Sequence, residues 1–99
     1  DIKLSSEETP VQKPAAPSSL SATATKNEVE LSWNDNSNNE AGFKIYRDSA
    51  LIFTTTPNVT SYSDTLLTPS TTYFYTVKAT NSAGDSDGVS ISVTTQEDN

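Results

Sequence analysis

The stretch Leu66-Leu67-Thr68-Pro69-Ser70-Thr71-Thr72-Tyr73-Phe74-Tyr75-Thr76-Val77-Lys78-Ala79-Thr80-Asn81-Ser82-Ala83-Gly84 decides the fold. Between a turn signal at residues 68–70 and a loop-forming run at residues 81–84, apolar and polar side chains alternate. The face predicted to be buried carries Tyr73, Tyr75, Val77 and Ala79. A period of two residues is typical of a strand with one buried face, so this segment is predicted to be a half-buried β-strand.

Six other short segments have the composition of β-strands. They are residues 20–24, 28–35, 42–48, 51–56, 60–64 and 89–94. The most regular is residues 28–35, in which Val29, Leu31 and Trp33 share one face. Trp33 is therefore predicted at the centre of the core. Seven short strands separated by turn signals, with no helical pattern, predict an all-β fold: a seven-stranded antiparallel immunoglobulin-like β-sandwich.

Composition limits the chain to one modest domain and argues against several functions. The 99 residues include 32% apolar side chains and carry a net charge of −7. This acidic balance argues against nucleic acid or an anionic membrane as a partner. Without cysteine or histidine the chain has no disulfide, no thiol chemistry, no Ser-His-Asp triad and no histidine-ligated zinc. No apolar run is long enough for a transmembrane helix.

The two ends differ in composition from the strand-rich part. Residues 1–16 combine serine, glutamate and proline and are predicted to form a largely disordered linker. The alternation of Ile2 and Leu4 with polar residues leaves open a short edge strand there. Residues 17–96 form the predicted domain and residues 97–99 an acidic tail. Because the chain does not begin with methionine and shows no signal peptide, we expect it to be a piece of a longer protein.

A set of these residues resembles the pattern of a fibronectin type III domain over residues 17–95. The pattern is Leu67-x-Pro69-x-x-x-Tyr73-x-Tyr75-x-Val77-x-Ala79-x-Asn81-x-x-Gly84-x-Ser86. The resemblance implies a tyrosine corner, in which the Tyr73 hydroxyl bonds to backbone near the preceding turn and Leu67 lies beneath it. Ser70 stands where the family often has glycine, which allows a different turn type. The residues given structural roles are Trp33, Leu67, Pro69, Tyr73, Tyr75 and Val77.

A second segment resembles the form of this domain found in extracellular bacterial and archaeal proteins. It reads Trp33-x-Asp35-Asn36-Ser37-x-Asn39-Glu40-x-Gly42-Phe43-x-Ile45-x-Arg47. Such modules belong to secreted or cell-surface multidomain proteins, notably polysaccharide-degrading enzymes and adhesin-like proteins. The resemblance therefore implies a secreted or cell-surface location and neighbouring domains of the same chain as partners.

The polar loop after Trp33 has the spacing that opens a calcium loop. Asp35, Ser37 and Asn39 alternate, but the EF-hand pattern then requires glycine and glutamate where this chain has Glu40 and Tyr46. An EF-hand is therefore excluded, and no metal is predicted. A calcium site of another kind, built on Asp35 and Glu40, stays open. The alternative is a loop held by its own Asx hydrogen bonds, with Glu40 paired to Lys44 or Arg47.

Two further features bear on binding. Ala83-Gly84-Asp85 lies where cell-adhesive relatives carry Arg-Gly-Asp, but the arginine is missing, so integrin binding is not expected. Tyr46, Phe53 and Phe74 could form an exposed row for stacking sugars, or could cover the second sheet. The candidate contact residues in the loops are Asp35, Asn36, Asn39, Glu40, Asp85 and Asp87.

No constellation for catalysis is present. A pair of carboxylates for glycoside hydrolysis needs a cleft, and Glu28, Glu30, Asp64 and Asp85 are placed at turns or on outward faces. We therefore predict no enzyme activity, no catalytic residue and no cofactor. The leading hypothesis is a monomeric, non-catalytic spacer or presentation module. The alternative is a recognition module that binds a polysaccharide or a protein through its loops or an exposed sheet edge.

Overall fold

The computed structural model describes residues 12–97. Residues 1–11 of the predicted linker, with the candidate edge strand at Ile2 and Leu4, lie outside the described residues, as do residues 98–99 of the predicted tail. The strands are β1 (Ser18–Ala24), β2 (Val29–Asn34), β3 (Gly42–Arg47), β4 (Ala50–Thr54), β5 (Ser61–Asp64), β6 (Thr72–Asn81), β7 (Gly84–Asp85) and β8 (Val89–Thr94).

The strands form two antiparallel sheets that enclose one core. One sheet has the order β1-β2-β5, and the other has the order β4-β3-β6. Both β7 and β8 pair with β6 along its other edge. This architecture confirms the predicted antiparallel β-sandwich. The strand that the sequence did not predict is β7, in which Gly84 and Asp85 pair with Asn81 and Thr80. Gly84 has a φ of 136°, a conformation that favours glycine and closes this tight turn.

Alternation along the strands produces the core. In β2 every second residue is buried and the residues between them are exposed. In β6 the buried positions are Tyr75, Val77 and Ala79. The indole of Trp33 lies beside the ring of Phe43, with the ring centroids 5.6 Å apart. The buried apolar cluster comprises Val29, Leu31, Trp33, Phe43, Ile45, Leu67, Tyr75, Val77 and Ala79.

The chain enters and leaves the sandwich at opposite ends. At one end Ser18 of β1 lies opposite Asn34, the last residue of β2. At the other end Thr94 of β8 lies opposite Thr72, the first residue of β6. We call the first end the entry pole; it comprises residues 12–17 and the loop regions 35–41, 55–60 and 82–88. The other end, the exit pole, comprises residues 25–28, 48–49, 65–71 and 95–97.

The turn before β6 forms a corner at the exit pole. The hydroxyl of Tyr73 accepts a hydrogen bond from the backbone N–H of Thr68 at 3.0 Å. Leu67 is buried on the same corner, and its N–H donates to the carbonyl of Asn27 at 2.9 Å. Ser70 has a φ of 55°, in the left-handed region that favours glycine. This conformation gives a physical reason for glycine at this turn position in other proteins.

Replacing Tyr73 by phenylalanine should lower the free energy of unfolding by about 1 kcal/mol, because the Thr68 N–H loses its acceptor. Urea unfolding followed by tryptophan fluorescence measures this change. Tyr46→Phe is a matched control, since Tyr46 is only partly buried and its ring contacts Lys78 through its face; we expect a change within about 0.5 kcal/mol. Equal stability of Tyr73→Phe and the unmodified chain would contradict a stabilising corner.

The exit pole also holds the residues that follow β8. The hydroxyl of the buried Thr95 accepts a hydrogen bond from the Thr71 N–H at 3.0 Å and donates to the Thr68 carbonyl at 2.7 Å. The N–H of Gln96 donates to the carbonyl of Thr25 at 3.0 Å. The chain is therefore attached to the sandwich as far as Gln96.

Candidate functional site

The candidate contact residues all belong to the entry pole. Asp35, Asn36, Asn39 and Glu40 lie in the loop between β2 and β3, Asp85 lies in β7, and Asp87 follows β7. These elements meet because β2, β3 and β6 begin or end there, with Gly42 of β3 opposite Thr80 near the end of β6. The pole therefore brings together two loops that are far apart in sequence.

Glu40 anchors the β2–β3 loop from inside. Only 8% of Glu40 is exposed, and its Oε1 accepts a hydrogen bond from the Ser37 hydroxyl at 2.9 Å. Its Oε2 accepts from the backbone N–H of Asn58 at 2.9 Å, which ties this loop to the β4–β5 loop. The predicted pairing of Glu40 with Lys44 or Arg47 is wrong. Each of these cations has a different carboxylate partner: Lys44 pairs with Asp85 and Arg47 with Asp64.

The hydrogen bonds around Glu40 also set its ionisation. Burial acts to raise the pKa of Glu40, but hydrogen bonds from its own backbone N–H, from the Ser37 hydroxyl and from the Asn58 N–H outweigh burial, and the pKa is lowered. Asp35 shares this cluster, because its Oδ1 accepts from both the backbone N–H and the hydroxyl of Ser37. Both carboxylates are thus engaged in fixing the loop. The described residues contain no group of three or more histidine, cysteine or carboxylate side chains that could hold a metal ion.

Asp85 is tied to the sheet rather than presented at the tip of its loop. Its Oδ1 accepts a hydrogen bond from the Thr80 hydroxyl at 2.6 Å and lies 3.2 Å from Nζ of Lys44. The Thr80 hydrogen bond is the largest cause of a lowered pKa of Asp85, and Lys44 adds to it against the opposing effect of burial. Asp87 is exposed, and its backbone carbonyl accepts from the Ser86 hydroxyl at 2.8 Å.

The lowered pKa values of Glu40 and Asp85 predict a loss of stability in acid. A folded-state pKa below the unfolded value stabilises the fold above the ordinary pKa, here 4.5 for Glu40 and 3.8 for Asp85. That contribution is lost as the pH falls through the lowered folded-state pKa. We expect Glu40→Gln to flatten the decline in the free energy of unfolding below about pH 4.5. Urea unfolding over a series of pH values tests this, with the exposed Glu28→Gln as control. The same pH dependence in Glu40→Gln and the unmodified chain would contradict it.

Asparagine side chains at this pole bind the segment that precedes β1. Nδ2 of Asn36 donates to the carbonyl of Ala16 at 3.0 Å and to the hydroxyl of Ser18 at 2.9 Å. Nδ2 of Asn39 donates to the carbonyl of Gln12 at 2.9 Å. The residues that the sequence placed at the end of a linker are thus hydrogen-bonded to the domain.

Asn81 completes this arrangement, and sequence reasoning did not assign it a contact. Its Nδ2 donates to the carbonyl of Gln12 at 2.7 Å and to the carbonyl of Asn39 at 3.1 Å. Its Oδ1 accepts from the N–H of Ala83 at 2.8 Å, which orients the amide. Asn81 occupies a position of the family pattern, but a pattern position does not indicate which carbonyl an amide reaches.

A buried ionic cluster near the exit pole was also missed. Asp64 was expected at a turn or on an outward face, and this expectation is wrong: Asp64 is 5% exposed. Its two carboxylate oxygens accept from Nη1 of Arg47 at 2.9 and 2.8 Å, and Tyr75 donates its hydroxyl at 2.7 Å. Burial and the bond to Asp64 raise the pKa of Tyr75 far above its ordinary value of 10. The cluster joins β5 of one sheet to β3 and β6 of the other, so these side chains serve the packing of the sheets.

The aromatic side chains considered for sugar stacking do not share one surface. Phe53 lies opposite Ile45 in the β3–β4 pairing and stays exposed at the edge of the sheet, where its ring stacks on Tyr62 of the other sheet with centroids 4.9 Å apart. Tyr46 and Phe74 each neighbour a buried residue along their strands and so face outward. The outer face of this sheet therefore presents two of the three rings and not a row of three.

No helix within residues 12–97 could span a bilayer.

Comparison with a family model identifies the domain type over most of the chain. The model described as "Fibronectin type III domain" matches residues 15–96. Among solved structures, the crystal structure of FN3tt superposes with a TM-score of 0.78 at 25% identity, covering 89% of this chain and 100% of that one. The fn3 domain of the human collagen alpha-1(XX) chain superposes with a TM-score of 0.76 at 19% identity, covering 92% and 93% of the two chains, a likeness of fold alone.

Curated relatives are large bacterial proteins of which this chain matches a small part. The chain is 41% identical over 87 residues to chitinase Chi52 of Paenibacillus xylanexedens, covering 83% of this chain and 16% of the chitinase. It is 39% identical over 90 residues to exoglucanase B of Cellulomonas fimi, covering 84% and 8%. It is 42% identical over 86 residues to an alpha-amylase of Niallia circulans, covering 84% and 6%.

Proposed function

The chain belongs to the fibronectin type III family, and we propose that it is a non-catalytic spacer module of a secreted bacterial polysaccharide-degrading enzyme. The observation that carries this proposal is the placement of the entry and exit poles at opposite ends of the sandwich. A module built in this way separates the domains before and after it. The ten residues of β6 span about 33 Å at about 3.3 Å per residue, which sets the scale of that separation.

The relatives support the context of this proposal. A chitinase, an exoglucanase and an alpha-amylase act on different polysaccharides, yet each contains a segment similar to this chain. A segment shared by enzymes of different substrates fits a role that does not depend on the substrate. The same context supports a location outside the cell, with neighbouring domains of its own chain as partners. We propose that the module is a monomer.

The hydrogen bonds accepted by the acidic side chains support a non-catalytic role. Glu40, Asp64 and Asp85 are each held by hydrogen bonds that fix loops or sheets. A glycosidase instead needs two carboxylates directed at one substrate bond across a cleft. These three carboxylates are thus engaged in the structure of the module.

Binding and turnover assays on the isolated chain test the spacer function. The chain is incubated with insoluble chitin, cellulose and starch and with a glycan array, and the release of reducing sugars is measured in parallel. We expect no retention above that of an unrelated acidic protein and no release of sugar. Retention that soluble oligosaccharides compete away would contradict the spacer function and favour a carbohydrate-recognition module.

A protein-recognition function is the second candidate, favoured by the edge of the second sheet. Strand β4 lies at this edge, and its Leu51 and Phe53 are 51% and 46% exposed. An edge strand with apolar side chains can accept an added strand from an extended protein segment. In that case neighbouring domains of the same protein would protect the β4 amides from hydrogen exchange, and Phe53→Lys would remove the protection. Unchanged exchange in the longer protein would exclude this candidate.

A further inference from the structure

We propose that the entry pole is a peptide clamp, which binds the chain's own segment Gln12–Pro17 and fixes the direction in which the preceding chain leaves the module. The clamp stands on contacts within residues 12–97. Its consequence for a neighbouring domain rests on the spacer function proposed above.

The donors of the clamp are three side-chain amides from two separate parts of the chain. Asn36 and Asn39 belong to the β2–β3 loop, and Asn81 ends β6. Asn36 holds the segment at Ala16, next to β1, while Asn39 and Asn81 both hold it at the carbonyl of Gln12, at its other end. Attachment at both ends of a short segment fixes its direction, whereas a segment attached at one end could still rotate about that point.

The side chains that form the clamp are held in place by hydrogen bonds of their own. Nδ2 of Asn81 bonds to the carbonyl of Asn39 as well as to that of Gln12, so the two loops that supply the donors are linked to each other. The Asn81 amide is itself oriented by the N–H of Ala83, and the β2–β3 loop is held by the buried Glu40. The donors are therefore preorganised, and binding the segment need not order them.

The segment is suited to this kind of recognition. Pro14 and Pro17 are both buried in the assembled pole. Proline restricts the backbone and has no N–H, so a segment of this kind stays extended, loses little conformational entropy on binding and offers carbonyls as its main polar groups. Side-chain amides supply the matching donors.

Gly84 completes the fit of the segment. A Cβ atom at Gly84 would lie 3.1 Å from Cε of Lys13, tighter than an ordinary contact. The β6–β7 turn therefore leaves room for the Lys13 side chain to lie across it. Contacts of the segment thus extend from Gln12 to Ser18.

NMR relaxation of the whole 99-residue chain tests the clamp. The double variant Asn39→Asp/Asn81→Asp replaces each Nδ2 donor by an oxygen and keeps the Asn81 acceptor for Ala83. In the unmodified chain we expect order parameters of the Lys13, Ala15 and Ala16 amides of about 0.8, as in the strands. In the double variant the value for Lys13 should fall below about 0.6, while Ala16, which Asn36 still holds, should stay near 0.8. Strand amides should be unchanged, which separates release of the segment from unfolding.

The control is Asn38→Asp/Ser82→Asp, which makes the same change in charge at two exposed positions of the same two loops. This control should leave the segment as ordered as in the unmodified chain. Order parameters below about 0.6 in the unmodified chain would overturn the clamp. So would a Lys13 amide that stays ordered in Asn39→Asp/Asn81→Asp.

A distance measurement tests the fixed direction. The chain has no cysteine, so Gln12→Cys and Glu30→Cys place two spin labels selectively, one on the segment and one on an exposed position of β2. We expect one narrow distance distribution, and a distribution at least about twice as wide after Asn39→Asp/Asn81→Asp. A broad distribution in the chain with intact asparagines would overturn the fixed direction. Polysaccharide binding by the module would contradict the spacer function but would not change the order parameters or the spin-label distances. The spacer function and the clamp can therefore be disproved independently of each other.

Discussion

Replacing Arg47 by methionine is expected to lower the free energy of unfolding by about 3 kcal/mol, because the carboxylate of Asp64 would remain buried without its cation. The side chain of Asp64 is 6% exposed, and Arg47 bonds to both of its oxygens. Methionine retains most of the length and apolar contact of arginine, so the change isolates the charge. The hydroxyl of Tyr75 would be the remaining partner of the carboxylate.

Urea unfolding of a set of variants measures this effect. Lys44→Met is the matched control, since the Lys44–Asp85 pair joins the same strand to a more exposed carboxylate, and we expect a loss of at most about 1 kcal/mol. Adding Asp64→Leu to Arg47→Met should recover part of the loss, because the unpaired charge is then gone. Similar losses for Arg47→Met and Lys44→Met would show that the buried pair contributes no more than an exposed one.

Replacing Trp33 by alanine is expected to lower the free energy of unfolding by about 3–5 kcal/mol, through lost burial and the cavity that remains. Trp33 is 4% exposed and contacts Phe43 between the two sheets. Its indole Nε1 has no hydrogen-bond partner among the described residues. Trp33→Phe removes this buried donor, so its cost should be only about 1–2 kcal/mol despite the smaller ring.

Denaturant unfolding followed by circular dichroism tests this prediction, because the substitutions remove the fluorescent indole. Phe74→Ala is the control for loss of an aromatic ring: Phe74 is 45% exposed on the outer face, and we expect a loss of about 1 kcal/mol or less. A loss below about 2 kcal/mol for Trp33→Ala would contradict the central place of Trp33 in the core.

Alternating apolar residues made the fold predictable. In β2 and β6 the period of two residues identifies the buried face directly, since neighbouring side chains of a strand point to opposite faces. Turn residues between the strands then favoured antiparallel pairing. Strand β7 could not be read in this way, because two residues are too few to show alternation, and its pairing depends on Asn81 and Gly84 closing a turn.

The contacts of polar side chains were much less predictable. The loop from Asn36 to Glu40 was correctly placed outside the strands, but nothing in its composition indicates that Glu40 is buried against Asn58 or that Asn39 reaches Gln12. The burial of Asp64 was likewise missed, because a carboxylate at a strand end is equally compatible with solvent and with a buried cation. These partners are distant in sequence and become neighbours only when the sheets pack.

The stretch from Leu66 to Gly84 shows which features the sequence predicts and which depend on the tertiary structure. Its alternation and turn signals determined by themselves that residues 72–80 form a half-buried strand, because side-chain periodicity is a local property of the chain. Only the tertiary structure decided that Tyr73 receives the Thr68 N–H, that Tyr75 donates to Asp64 and that Asn81 binds the segment before β1. Hydrogen bonds between distant residues require atoms to meet within about 3 Å, and that distance is set by packing and register rather than by the order of the residues.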